Sequence, residues 1–259
     1  MTFQLRAVAV EVDGRPVLRD VGFSVEKGER VVVLGVNGCG KTTLLKLLDG
    51  LVFATGGEVR YGGTPLDARA LDDAAFRRRF RGEVAFLFQN VDAMLFNPTV
   101  ADEIAFGPLQ LGLPDVDGRV ARWAGMLGVT ALLARPPFEL SGGEKKRVAL
   151  AALLACDPHV LLLDEAPANL DPAWAGRLVD LLAGRRDLTV ISATHNLSVA
   201  EEMGSRALLL APGGGVLFDG PTAALLRDPL LLVRSGLAHR HVHTHDGTDH
   251  AHFHVHDVE

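Results

Sequence analysis

Three clusters of residues in this 259-residue chain have the types and spacings for chemistry. The first is Gly35-Val36-Asn37-Gly38-Cys39-Gly40-Lys41-Thr42-Thr43. It fits the pattern G-x-x-x-x-G-K-[ST], a loop that cradles phosphate. Glycines let backbone amides turn inward around an anion, because no Cβ blocks the approach. A helix starting here adds the positive end of its dipole. Lys41 is placed to reach terminal phosphates, and the Thr42 hydroxyl is a hard oxygen ligand for Mg²⁺. The second cluster is Asp164-Glu165, directly after Val160-Leu161-Leu162-Leu163. A carboxylate closing a buried strand can hold Mg²⁺ opposite such a loop, and its neighbour can polarise an attacking water.

The third cluster is histidine. Eight of the ten stand at His239, His241, His243, His245, His250, His252, His254 and His256. Spacing of i, i+2 puts the histidines of each arm on one face of an extended strand. A hairpin about Asp246-Gly247-Thr248-Asp249 would set His245 opposite His250, His243 opposite His252, His241 opposite His254 and His239 opposite His256. A polar tail without fixed structure is the other reading. Neutral imidazole suits Ni²⁺, Co²⁺, Zn²⁺ and Cu²⁺ in either case.

These clusters need elements to hold them. Phe3 to Val12 and Val17 to Val25 flank Asp13-Gly14 and predict an antiparallel hairpin. Val31 to Leu34 reads as a buried strand, Leu44 to Leu48 as a helix and Glu58 to Tyr61 as a short strand. The basic residues within Leu71 to Arg81 read as a solvated helix face. Val84 to Phe88 is a strand, Asn97-Pro98-Thr99 opens a helix, and Gly112 to Gly118 is a loop before helical spacing from Arg119 to Leu127. Lys145 to Ala155 and Leu178 to Leu182 are helical, and Thr189 to Ser192 is a strand that ends near His195. Ala207 to Leu210 and Val216 to Phe218 form a last hairpin before the tail. Strands alternating with helices imply an α/β fold with a mostly parallel sheet.

A net charge of -6 leaves no broad basic surface for nucleic acid. Cys39 and Cys156 are too far apart in sequence for a paired metal motif. The longest uncharged apolar stretch, Val148 to Cys156, falls well short of the roughly 18 residues a membrane span needs. No basic-then-apolar leader opens the chain, so a cytoplasmic protein is expected, with any membrane role reached through a partner.

Leu140-Ser141-Gly142-Gly143-Glu144 brings in a family resemblance. It is similar to the signature of ABC-type ATPases, where Glu144 is more often Gln. Two glycines and a serine at a helix N-terminus make a second anion site. One chain already has a phosphate loop, so this second site suits another chain's nucleotide, giving a head-to-tail dimer around two ATP molecules. The resemblance covers about residues 3 to 230. It implies a P-loop NTPase (RecA-like) core with an N-terminal antiparallel β subdomain and an α-helical insertion. The core would be 1–90 and 141–230, the helical subdomain 91–140 and the histidine tail 231–259.

The same resemblance implies ATP and Mg²⁺ as cofactors, held by Gly35 to Thr43, Gln89, Asp164 and the Ser141-Gly142-Gly143-Glu144 signature. Glu165 would be the general base, His195 the γ-phosphate switch and Gln89 the lid glutamine that senses Mg²⁺. Ala168-Asn169-Leu170-Asp171 would cross the dimer interface. Two departures stand out. Asp164-Glu165 is followed by Ala166-Pro167 where the family often has Pro-Thr, and no Trp or Tyr lies near Val12, where an adenine-stacking aromatic is usual.

Within the family, Phe88-Gln89-Asn90, Leu95-Phe96-Asn97-Pro98-Thr99 and Ser141 to Arg147 are similar to energy-coupling-factor importer ATPases. That implies a homodimer or heterodimer on integral membrane subunits, at the cytoplasmic face of the membrane, importing cobalt or nickel. Met94, Leu95 and Phe96 are either an apolar grip for a membrane subunit or ordinary core. A vitamin importer would share the enzyme without needing the tail. A soluble ABC-type ATPase with a metal-storage tail is the second class. A metal-insertion GTPase is disfavoured, because no Asn-Lys-x-Asp guanine motif is present.

Overall fold

A computed structural model describes residues 1–166, 172–245 and 248–255; for Pro172 and from residue 239 onward it describes backbone only. In chain order the elements are β1 (Phe3–Val12), β2 (Arg15–Val25), β3 (Arg30–Leu34), α1 (Lys41–Leu48), β4 (Gly56–Tyr61) and β5 (Thr64–Pro65). Next come α2 (Ala68–Asp72), α3 (Ala74–Glu83), β6 (Val84–Leu87), α4 (Val100–Leu111), α5 (Val116–Met126), α6 (Gly142–Ala155), β7 (Val160–Asp164) and α7 (Pro172–Gly184). The chain continues with β8 (Thr189–Thr194), α8 (Ala200–Met203), β9 (Arg206–Leu210), β10 (Val216–Pro221), α9 (Thr222–Leu226), α10 (Pro229–Arg234), β11 (Ala238–His245) and β12 (Thr248–Val255). They fall into two compact units, residues 1–70 with 190–259 and residues 71–189.

The first unit opens with an antiparallel sheet in the order β2-β1-β4-β5. Its alternation breaks at Ala7, which has φ +48°. Phe3 and Leu5 point into the core before the break, Val8 and Val10 after it. One extra residue in a bulge moves the apolar face from odd to even positions. Gly57 lies against this bulge, and a Cβ there would collide with the Arg6 and Ala7 carbonyl oxygens.

In the same unit β3 pairs in parallel with β8 on one side and β9 on the other, and β10 pairs antiparallel with β9. Val31 to Leu34 are almost fully buried, as their unbroken apolar run requires of a strand covered on both faces. Each such side chain contributes about 1.5–3 kcal/mol by leaving water. Arg206 at the start of β9 is held by Asp219 and Glu29, whose carboxylates raise its pKa further.

In the second unit β6 and β7 pair in parallel, and α6 packs on α4, α5 and β6. Val160 to Leu163 are fully buried. Helical spacing at Leu71 to Arg81 resolves into two helices, because the Asp73 side chain caps α3 by accepting from the Phe76 N–H. Gly112 to Gly118, expected as a loop, is helical from Val116. Asp115 caps that turn by accepting from the Gly118 N–H.

The tail is a two-stranded antiparallel hairpin of β11 and β12. Its register corrects the expected one. His239 faces His254, His241 faces His252, His243 faces His250 and His245 faces Thr248. Thr248 and Asp249 belong to the strand rather than to the turn, so each pairing slides by two residues. His256 lies outside the described residues.

Candidate nucleotide site

In the first unit the phosphate loop runs from the end of β3 to the start of α1. Gly35, Cys39 and Gly40 are buried, Val36 is half-buried, and Asn37 and Gly38 are exposed at the tip. Gly40 caps α1 with φ +106°. A Cβ there would stand 2.8 Å from Leu18 Cδ2 and 3.1 Å from the Val17 carbonyl oxygen, so both backbone angle and space demand glycine. The first N–H groups of α1 have no intrahelical carbonyl and face the loop's opening, which suits an anion.

Lys41 is buried and folds its ammonium over the loop, donating to the carbonyl oxygens of Gly35 (2.7 Å) and Val36 (3.2 Å). Thr42 and Thr43 are half-buried in the first turn. Burial raises the Cys39 thiol pKa, against the pull of Lys41. The β3–β8 register sets Leu34 beside Thr194, so half-buried His195 leaves its strand next to Gly35. The loop and His195, far apart in sequence, therefore meet at neighbouring strand ends. Val12, at the end of β1, is 41% exposed and offers no ring.

In the second unit Asp164 ends β7, and it and Glu165 are buried. Glu165 holds φ +51°, a left-handed backbone that costs a non-glycine residue roughly 1–3 kcal/mol. Such outliers concentrate where geometry matters for chemistry. Lys146 of α6, only 3% exposed, donates to the Glu165 carbonyl oxygen at 3.0 Å. Burial lowers its pKa to about 8, and the charges of Glu165 and Asp164 pull the other way.

Ser141 caps α6 in a reciprocal box. Its Oγ accepts from the Glu144 N–H at 3.4 Å, while Glu144 Oε2 accepts from the Ser141 N–H and Oγ, both at 2.8 Å. These bonds, the backbone one first, hold the Glu144 carboxyl below its usual pKa. Glu in place of Gln thus serves the local cap, while Ser141 and Gly142 stay exposed.

Gln89 is exposed just after β6. The segment beyond it is braced by Asp92, which accepts from Lys145 at 2.7 Å, and by buried Glu103, which accepts from the N–H groups of Phe96 and Asn97 at 2.8 Å each. Met94 and Leu95 are half-buried, Met94 Sδ accepting from the Phe88 N–H. Phe96 is 67% exposed and meets Phe106 edge-on at 5.0 Å.

Within the first unit Gly40 keeps open a cradle that a Cβ would fill and the Thr42 hydroxyl is a hard oxygen donor of the kind Mg²⁺ takes, so the loop fits the phosphates of ATP with Mg²⁺; in the second unit the Asp164 carboxylate is a donor of the same kind. Ala168-Asn169-Leu170-Asp171 lies outside the described residues. Lys146 was not singled out by motif. Its signal is a lysine on the helix face otherwise formed by Ala149, Leu150 and Ala151, where an apolar residue is the rule.

Residues 18–168 match the ABC transporter family. The chain is 43% identical over 242 residues to the nickel import ATP-binding protein NikO of Rhodobacter capsulatus, covering 91% of this chain and 95% of that one. It is 38% identical over 229 residues to the energy-coupling factor transporter ATP-binding protein EcfA of Methanothermobacter thermautotrophicus, covering 87% and 72%. Among solved structures, cbiO1 of Clostridium perfringens, part of the ABC transporter complex cbiONQ, superposes with a TM-score of 0.76 at 26% identity, covering 91% and 94%.

Proposed function

Because the chain belongs to the ABC transporter family of ATP-binding proteins, we propose that it powers an energy-coupling-factor importer of nickel or cobalt ions. The chain is an ATPase with the P-loop α/β fold of that family. In the proposed mechanism the amides of Gly35 to Thr43 and the Lys41 ammonium hold the β- and γ-phosphates. Thr42, Asp164 and Gln89 would hold Mg²⁺ through oxygen, and the ion would offset negative charge during phosphoryl transfer. Glu165 orients the attacking water and takes its proton. His195 contacts the γ-phosphate. Glu165→Gln keeps ATP binding and loses turnover at least a hundredfold; near-normal hydrolysis removes Glu165 as base.

A second copy, or a related ATPase chain, completes each nucleotide site with its Ser141-Gly142-Gly143-Glu144 corner. Ser141→Arg then blocks ATP-driven dimer closure, read by size-exclusion chromatography with and without ATP. An unaffected dimer rejects the shared site. Membrane subunits are the further partners, with exposed Phe96 as part of their grip. Among the described residues no helix is long and apolar enough to cross a membrane. The proposed position, at the cytoplasmic face beside the membrane subunits, follows from the likeness to importer ATP-binding proteins. Segments 1–90 with 141–230 act as the catalytic core and 91–140 as the helical arm that moves.

One observation carries the metal reading: the hairpin register sets three histidine pairs opposite one another, alternate along each strand and so on one face. Cross-strand neighbours about 5 Å apart are in range to share an ion, and imidazole favours nickel, cobalt, zinc and copper. The tail collects the cargo beside the motor. ATP-dependent accumulation of nickel or cobalt by cells with and without this protein is the test. Equal accumulation of both ions in the two strains refutes it.

A further inference from the structure

The signature helix makes a contact whose purpose packing does not supply. The face of α6 that enters the second unit is Val148, Ala149, Leu150, Ala151, Leu154 and Ala155, all buried and apolar, with Lys146 among them. Burying an ammonium is costly, and a methionine of similar length fills the same space without that cost. Lys146 nevertheless donates to a backbone carbonyl, that of Glu165, at 3.0 Å, within reach of the Glu165 and Asp164 charges. That residue is the one in the left-handed backbone region at the end of β7. A charge-assisted hydrogen bond to the strained peptide opposes its relaxation to an ordinary φ, which would swing the side chain away. The donor sits on the helix whose first turn is the Ser141 capping box, so one rigid element carries both the signature and the brace.

We propose that Lys146 is a positioning residue for hydrolysis: it fixes the Glu165 backbone, and hence the carboxylate, from the helix that bears the signature. This rests on Glu165 being the general base. Lys146 acts on hydrolysis by way of Glu165 and not as a group in the reaction itself.

The test uses the full-length protein and steady-state ATP hydrolysis. Lys146→Met lowers kcat at least tenfold and leaves the KM for ATP within twofold, because only an arrangement used in the transition state is lost. In the Glu165→Gln background the same substitution leaves the residual rate unchanged, because the group it positions is already gone. Lys146→Gln, which keeps a shorter neutral donor, falls between wild type and Lys146→Met, and it serves as the second variant should Lys146→Met not fold. A kcat within twofold of wild type for Lys146→Met overturns the proposal. So does a rise in KM at constant kcat, or a further drop of the same size in the Glu165→Gln background. Full activity of Glu165→Gln itself would instead strike the base assignment, whatever Lys146 does.

Discussion

The phosphate loop and the histidine hairpin belong to the same compact unit, yet they organise their chemistry in opposite ways. The loop springs from β3, which has a parallel neighbour on each side and side chains almost wholly out of water. Its shape is paid for by the core before any ligand arrives. The hairpin is a two-stranded sheet of its own. A two-stranded sheet draws less stability from its own strands than a strand flanked on both sides, and β11 leans on α10 at its start. A ligand at the loop meets backbone donors held by the core, whereas a metal bound by the histidines, as proposed, would add its binding free energy to the stability of the hairpin. Under the proposed function the loop serves the nucleotide and the hairpin serves the metal.

The largest expected effect tests that division directly. Truncation after Ala238 is expected to remove the proposed nickel and cobalt binding entirely while the ATPase rate stays within about twofold, as the nucleotide-binding residues lie outside the tail. The cut falls after Ala238 because Leu237 and Ala238 are themselves buried. Equilibrium dialysis and a coupled phosphate assay read the two halves of the outcome. Unchanged metal stoichiometry breaks the comparison at the tail, and a collapsed ATPase rate breaks it at the core.

The next effect comes from the loop side. Gly40→Ala forces a side chain onto a φ of +106° and against Leu18 and the Val17 carbonyl. ATP affinity falls about tenfold or more, as expected for strain of about 1–3 kcal/mol in the cradle. Metal stoichiometry on the tail is untouched. Isothermal titration with a non-hydrolysed ATP analogue, beside dialysis with nickel, separates the two. Equal loss in both would mean that loop and hairpin are one cooperative structure.

The two regions were also unequally legible in the sequence. The loop could be read outright, since glycine spacing, lysine and a flanking apolar strand each report a local requirement. Val160 to Leu163 announced a strand buried on both faces for the same reason. The hairpin's histidine alternation was equally plain, but its register was not. Register depends on how many residues the turn consumes, and Thr248 with Asp249 is compatible with strand or turn by type alone. The bulge at Ala7 hid behind apparent alternation, because alanine is neutral about which face it takes. Lys146 escaped the motif reading altogether. Its importance lies in what it meets nineteen residues along the chain, which no local pattern encodes.

The smallest effect concerns the two thiols, and it sharpens the contrast by asking whether soft ligands in the core compete with the tail for metal. Burial raises both: Cys39 despite nearby Lys41, and Cys156 to about 11 despite nearby Arg119. Thiolate, not thiol, binds metal and reacts. At pH 7.5 the Cys156 thiolate is therefore below about one part in a thousand. Iodoacetamide at that pH leaves Cys156 unmodified in the native protein, with nickel stoichiometry unchanged; mass spectrometry and dialysis check both. The same shift gives a pH dependence with a definite sign. Well below pH 9 the thiol is protonated folded and unfolded, and stability is unaffected. Between pH 9 and about 11 the unfolded chain ionises first, so it holds fewer protons and the fold loses stability, by about 3 kcal/mol at most. Urea midpoints across that window should fall for the wild type and stay flatter for Cys156→Ala. Parallel curves would place the thiol in a wetter setting than its neighbours Gly107 and Arg119 indicate.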